Sequence, residues 1–178
     1  MKPYASHLGL LGLCVALNKG DILEIGGGYF STPFLHYSCD KNILTLEEAE
    51  DFYTDLNKRF SSENHGIKHM VNLESVKFLI NKPWGLVFID NEIPYDCAKE
   101  LEETGDIKYD GRKKCIRFLA DKCDMMLVHD TEQASFAGDE ELWSSFKYVY
   151  TFKPDGLPHT TYCSNKIDLL SYLSNMKK

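Results

Sequence analysis

The chain has 178 residues, 43% of them apolar and 26% charged, with a formal net charge of −7. That is the make-up of one soluble globular domain spanning 1–178, long enough to bury a core of its own. No apolar run is long enough to span a bilayer. The scattered Lys and Arg residues, densest at Arg112–Lys114 and Lys177–Lys178, disfavour a phosphate-binding role unless folding segregates them, so nucleic acid is an unfavoured partner.

Leu8–Leu17 is apolar, but Met1–His7 is a poor basic leader and no small-residue cleavage site follows, so the stretch reads as a buried helix in a cytoplasmic protein. Six cysteines lie outside any C-x-x-C or zinc-like spacing and read as reduced thiols, several within apolar patterns. Asn18-Lys19-Gly20 ends the first helix. Asp21–Ile25 is a short strand followed at once by three glycines. Ser31-Thr32-Pro33 starts a helix running to about Ser38, with Pro tolerated in its first turn. Asn42–Leu46 reads as a second strand. Ala49–Phe60 is a helix by its spacing of Phe52, Leu56 and Phe60. Ile67–Val71 is a weak third strand, and Val76–Ile80 a short helix or turn. Trp84–Ile89 is near-continuously apolar, as expected of a strand covered on both faces.

Asn91–Lys114 is long, with turn residues and aromatics, and is the expected acceptor-facing segment. Its alternative is a solvated acidic loop around Glu100–Glu103. Cys115–Lys122 has a helical pattern, Met125–Val128 is an apolar strand, and Glu140–Phe146 is a short helix. Tyr148–Phe152 and Thr160–Cys163 are strands flanking the turn signal Pro154-Asp155-Gly156. A helix from about Lys166 to Leu173 closes the chain. Alternating strands and helices predict an α/β, Rossmann-like, doubly wound and mostly parallel sheet; the last two strands add an antiparallel C-terminal strand.

The segment most informative for function is Glu24-Ile25-Gly26-Gly27-Gly28-Tyr29-Phe30-Ser31. Glycines between a strand and a helix permit a tight turn and let a ligand approach the backbone. Glu24 beside that turn would repel a pyrophosphate and suits a ligand bearing an amino group and a sulfonium. Strand two ends in Glu47-Glu48, about twenty residues on, where a carboxylate can accept hydrogen bonds from ribose hydroxyls. No basic group near the turn would hold phosphate, and Ser31 stands where a dinucleotide site usually has Gly or Ala. The alternative for Glu47 and Glu48 is an acid pair at a helix N-terminus.

DILEIGGGYFST followed by NILTLEE resembles the first two motifs of class I S-adenosylmethionine-dependent methyltransferases. KPYASHLGLL resembles the opening helix of small members, WGLVFIDNEIPYD and DMMLVHDTE the fourth and fifth strands of the O-methyltransferase branch, and LPHTTYCSN its closing hairpin strand. The resemblance implies S-adenosyl-L-methionine as cofactor and a small, hydroxyl-bearing acceptor. It places Glu24, Gly26 and Gly28 at the methionine part of the donor and Glu47 at the ribose, with Glu48 as substitute. Asn72 and Leu73 would lie beside the adenine, Asp90 near the methionine amino group or a metal, and His7 would close over the donor. Acids placed like Asp90 and Asp130 hold magnesium in the metal-dependent members, where the third ligand is Asn; Thr131 stands there in this chain. His129 and Asp130 are the expected proton-handling groups, and the alternative for His129 is a ring satisfied at a strand end. The same donor pocket would also suit donor cleavage, hydroxylase-like chemistry or a non-catalytic binding subunit. Oligomeric state is not readable from the sequence.

Overall fold

The computed structural model describes residues 5–91, 111–133, 136 and 139–176. The elements in chain order are α1 (Leu8–Leu17), β1 (Ile22–Ile25), α2 (Ser31–Ser38), β2 (Ile43–Glu47), α3 (Glu50–Phe60), β3 (His65–His69), α4 (Leu73–Ile80) and β4 (Trp84–Ile89). They continue with α5 (Gly111–Leu119), β5 (Cys123–His129), α6 (Glu140–Ser144), β6 (Tyr148–Phe152), β7 (Thr160–Ser164) and α7 (Leu169–Met176). The expected acceptor-facing segment falls mostly on residues 92–110, which lie outside the described residues.

Seven strands form one sheet in the order β3-β2-β1-β4-β5-β7-β6. The first five are mutually parallel, and β7 runs antiparallel to both β5 and β6. The expected mostly parallel, doubly wound sheet with an antiparallel C-terminal strand is the observed fold. The two-residue period of the strands divides the core into two layers. Ile22, Leu86, Phe88, Met125, Leu127 and Tyr162 pack on one face with Leu11, Cys14, Leu35 and Leu169 from α1, α2 and α7. Leu23, Ile25, Val87, Ile89, Met126 and Val128 pack on the other with Val76, Ile80, Ile116, Leu119 and Leu142 from α4, α5 and α6. The inner strands are thus apolar on both sides, which is why β4 reads as a continuous apolar run. Cys14, Cys123 and Cys163 are free thiols buried in this core.

Strand β3 starts two residues before its apolar stretch. Its place is set by pairing with β2, from Ile43↔His65 to Glu47↔His69, and Val71 beyond it is exposed. Helix α4 starts earlier than its apolar residues imply because Asn72 caps it: the Ser75 N–H donates to Asn72 Oδ1 at 2.9 Å, and the Ser75 hydroxyl completes a capping box. Helix α7 starts later than expected, with the Ser171 N–H donating to Asp168 Oδ1 at 3.1 Å.

Strand order reverses between β1 and β4, because the chain winds outward from β1 through β2 and β3 and then crosses back to β4. In open α/β sheets the crevice beyond the carboxyl ends of the strands at such a switch point is where ligands bind. The glycine turn after β1 and the Asp90–Asn91 corner after β4 meet there.

Candidate functional site

Gly26 adopts φ +87°, in the left-handed region that favours glycine. A Cβ at Gly26 would lie 2.3 Å from Asn91 N and 2.4 Å from the Asp90 carbonyl carbon. The first glycine therefore lets the end of β1 press against the end of β4. The Gly28 N–H donates to Thr32 Oγ1 at 2.9 Å, and that hydroxyl donates to Glu24 Oε2 at 2.8 Å. The turn is thus tied through the first turn of α2 to the strand that precedes it.

Glu24 is fully buried. It faces Thr45, its registered partner on β2, whose hydroxyl donates to Glu24 Oε2 at 2.7 Å. With its one proton spent on Glu24, the Thr45 hydroxyl accepts from His65 Nε2 at 2.8 Å, and His65 Nδ1 accepts from His36 Nδ1 at 3.1 Å. Burial pushes the Glu24 carboxyl up to about 7, against the opposing pull of the Ser31, Thr45 and Thr32 hydroxyls. Glu24 Oε1 has no hydrogen-bond partner among the described residues, so Ser31 stands close without satisfying it. Burial, then the charge of His36, lowers His65 to about 4, which keeps that ring neutral as the chain of donors requires.

At the neighbouring strand ends four expected residues come together. His7, just before α1, lies with its ring on Phe88 (centroids 4.9 Å) and edge-on to His129 (4.5 Å). His129 Nδ1 is 3.0 Å from Asp90 Oδ1 and 3.4 Å from Asp130 Oδ1, and His129 Nε2 is 3.1 Å from Ser6 Oγ. Ser6 Oγ in turn donates to the Pro158 carbonyl at 3.2 Å. Burial opposes charge on the His129 ring, but the hydrogen bond and charge of Asp90, reinforced by Asp130, outweigh it and raise its pKa. His7 goes the other way: burial, then the charge of His129, lowers it to about 4. Burial also raises Asp130, against the opposing charges of His129 and Arg112. Asp130 itself sits at φ 56°, in the left-handed region that Asp tolerates better than most residues.

Arg112, from the first turn of α5, knits this corner together. Its Nε donates to the Asn91 carbonyl and its Nη1 to the His129 carbonyl at 2.8 Å. Its Nη2 stands 3.6 Å from both Asp90 Oδ1 and Asp130 Oδ2. Sequence reasoning gave Arg112 no role beyond its charge, because an Arg within the basic run Arg112–Lys114 looks like surface. Ser6, Thr32, His36, Thr45 and His65 were missed too. A polar Thr at an inward position of β2, in phase with Glu24 on β1, was the legible trace of that network.

The remaining expected residues lie along the same edge. Glu47, at the end of β2, is buried, and its Oε1 accepts from the Ala49 N–H at 2.8 Å. Glu48 Oε1 faces the Asn91 side-chain amide at 3.4 Å, and the Glu48 carbonyl bonds the His69 ring at 2.9 Å. Asn72 is exposed and its side chain caps α4, while Leu73 packs against the core layer of α4. Thus His7, Asp90, His129 and Asp130 form one cluster. Gly26 abuts it, Glu48 reaches it through Asn91, and Asn72 and Leu73 stand apart beyond β3. Between Asp90 and Asp130, where the metal-dependent members hold magnesium, lie the His129 ring and the Arg112 guanidinium. Magnesium wants a near-octahedral shell of oxygens, and this nitrogen-rich corner does not fit it.

No protein-family model matches the chain, and no curated protein matches it in sequence. Solved structures do match in fold. Human methyltransferase-like protein 13, in complex with SAH, superposes with a TM-score of 0.66 at 12% identity, over 97% of this chain and 89% of that one. The chain shares the Rossmann-like fold of that structure. An RNA methyltransferase from Salinibacter ruber in complex with S-adenosyl-L-homocysteine gives 0.54 at 11% identity, over 95% of this chain and 94% of that one. The N-methyltransferase NodS from Bradyrhizobium japonicum WM9 gives 0.56 at 13% identity, over 90% and 94%. No helix among the described residues is long and apolar enough to cross a membrane.

Proposed function

We propose that the chain is an S-adenosylmethionine-dependent methyltransferase acting on a small, hydroxyl-bearing acceptor. The observation that carries this reading is the glycine turn at the switch point. Its first glycine is pressed against the Asp90–Asn91 corner, and a buried carboxylate stands beneath it. The fold's likeness to methyltransferases captured with the demethylated donor supports the same conclusion.

The donor fits what the edge leaves unsatisfied. Glu24 Oε1 and Asn91 Oδ1 are buried acceptors without partners among the described residues, and a ligand with an amino group and ribose hydroxyls brings donors. When bound, S-adenosylmethionine supplies a methyl group already activated by its sulfonium. Gly26 and Gly28 border its methionine part, and Asp90, brought close by Gly26, faces the amino group. Glu47, or Glu48 in its place, accepts from the ribose, while Asn72 and Leu73 border the adenine. His7 covers the cluster from just before α1. The remaining task is to align the acceptor and remove its proton. His129 has both ring nitrogens engaged, so Asp130, with its side chain 25% exposed, is the better placed proton acceptor and His129 the group that orients it. No step runs through magnesium, which this donor set does not suit.

Calorimetric titration with S-adenosylhomocysteine tests the reading: micromolar binding is expected, and no binding to folded protein would refute it. Mass spectrometry of an acceptor panel distinguishes methyl transfer from other donor chemistry. Glu47→Ala should weaken donor binding by about 1–3 kcal/mol, the scale of lost charge-assisted hydrogen bonds. Unchanged affinity in both Glu47→Ala and Glu48→Ala would remove the ribose assignment.

A further inference from the structure

We propose that His7, Asp90 and His129 form a binding site for a borderline divalent transition-metal ion of the zinc class, a ligand set unlike the all-oxygen shell that magnesium takes. One ligand atom from each of these three side chains lies within 4.8 Å of the others. Asp90 Oδ1 and His129 Nδ1 are already 3.0 Å apart. Zinc bonds of about 2.0–2.2 Å to nitrogen and oxygen put neighbouring ligand atoms roughly 3.3 Å apart, so one pair of the three is nearly in place.

The hydrogen bonds around His129 fix what can lie between that pair. The single proton of the Ser6 hydroxyl points to the Pro158 carbonyl, so Ser6 Oγ accepts from His129 Nε2. His129 Nδ1 then presents either a proton or a bare lone pair to the Asp90 carboxylate. Two lone pairs at 3.0 Å repel, so a cation must lie between them: a proton, or a metal ion that displaces it. The Ser6–His129 bond also does what outer partners of metal-bound histidines do, fixing the tautomer and the ring.

His7 is the independent observation. It is 1% exposed, and neither ring nitrogen has a hydrogen-bond partner among the described residues. A buried imidazole without partners is costly unless something binds it. Arg112, 3.6 Å from both Asp90 and Asp130, is outnumbered by the two carboxylates, which leave one net negative charge facing the ion. Two imidazoles and one carboxylate suit zinc or its first-row neighbours and leave coordination positions open.

The test uses the full chain, freed of metal by chelation and titrated with Zn2+ in two buffers of different ionisation enthalpy. One equivalent should bind, with release of about one proton as Nδ1 is vacated. Co2+ should give a visible absorption band that Zn2+ abolishes. His7→Gln and Asp90→Asn should each weaken Zn2+ binding by about 100-fold with unchanged circular dichroism, and Ser6→Ala by about 10-fold. Absence of stoichiometric binding by the wild-type chain overturns the proposal, as does equal affinity in His7→Gln and Asp90→Asn, which would place the ion elsewhere. S-adenosylhomocysteine titrated into the metal-free chain reports the methyltransferase reading separately, so either can fail alone.

Discussion

Arg112→Ala is expected to destabilise the chain by about 3–5 kcal/mol, the scale for removing one partner of a buried ion cluster. The guanidinium is 4% exposed and stands between the Asp90 and Asp130 carboxylates. It also donates to the carbonyls of Asn91 and His129, the residues that end β4 and β5. Truncation leaves two carboxylates facing each other with one imidazole between them, and takes a donor from each of two buried carbonyls. Lysine cannot restore the geometry, because a point charge reaches one acceptor where the fork reaches several. Urea unfolding measures the loss. A difference from wild type below about 1 kcal/mol would show that the arginine is incidental. In an Arg112→Met background, Asp130→Asn should recover more than 1 kcal/mol, because it removes one of the stranded charges.

The second large effect concerns Glu24 and pH. Its carboxyl is raised from 4.5 to about 7 chiefly by burial. A raised acid pKa in the folded state means that the native chain keeps a proton that the unfolded chain has lost. Between about pH 4.5 and 7 the unfolded state therefore binds fewer protons, and stability falls as pH rises. The full penalty above pH 7 is about 3 kcal/mol by linkage. Glu24→Gln keeps an oxygen for the Thr32 and Thr45 hydroxyls and removes the titration. Its stability relative to wild type should grow by about 3 kcal/mol between pH 5 and pH 8. The comparison must be a difference, because His7 and His65, each lowered to about 4, act in the opposite sense. Their neutral rings favour folding above pH 6.5, and that contribution is lost as pH falls toward 4. A difference between Glu24→Gln and wild type that is flat with pH would show that Glu24 is charged in the folded state.

These two residues also mark how far the site was legible. Glu24 was singled out by its place before the glycines, and it does lie under the turn. Its contacts, however, are to Thr32 and Thr45, and through Thr45 to the His65–His36 pair, which join it to three other elements. Arg112 was invisible as a site residue because nothing in its neighbours distinguishes it from the surface basic residues beside it. The cluster of His7, Asp90, His129 and Asp130 was named residue by residue, but its arrangement was not. Whether the two acids met a metal, a base or an arginine depended on where α5 lies against the sheet.

Local chemistry alone determined much of the fold. Leu8–Leu17, Trp84–Ile89 and Tyr148–Phe152 stand where their apolar patterns placed them, because periodicity and turn residues act within one element. The glycine turn, too, is local: a left-handed φ at Gly26 is a property of the residue itself. Tertiary structure decided what depends on partners distant in the chain. The two C-terminal strands read as neighbours, yet only packing placed β7 between β5 and β6, where it hydrogen-bonds both. Strand β3 was positioned by register with β2 rather than by its own weak apolarity. The polar corner at the ends of β4 and β5 followed the same logic. Its members come from α5, from the ends of β4 and β5 and from the residue before α1, and buried charges become costly or useful only once those elements have shut out water.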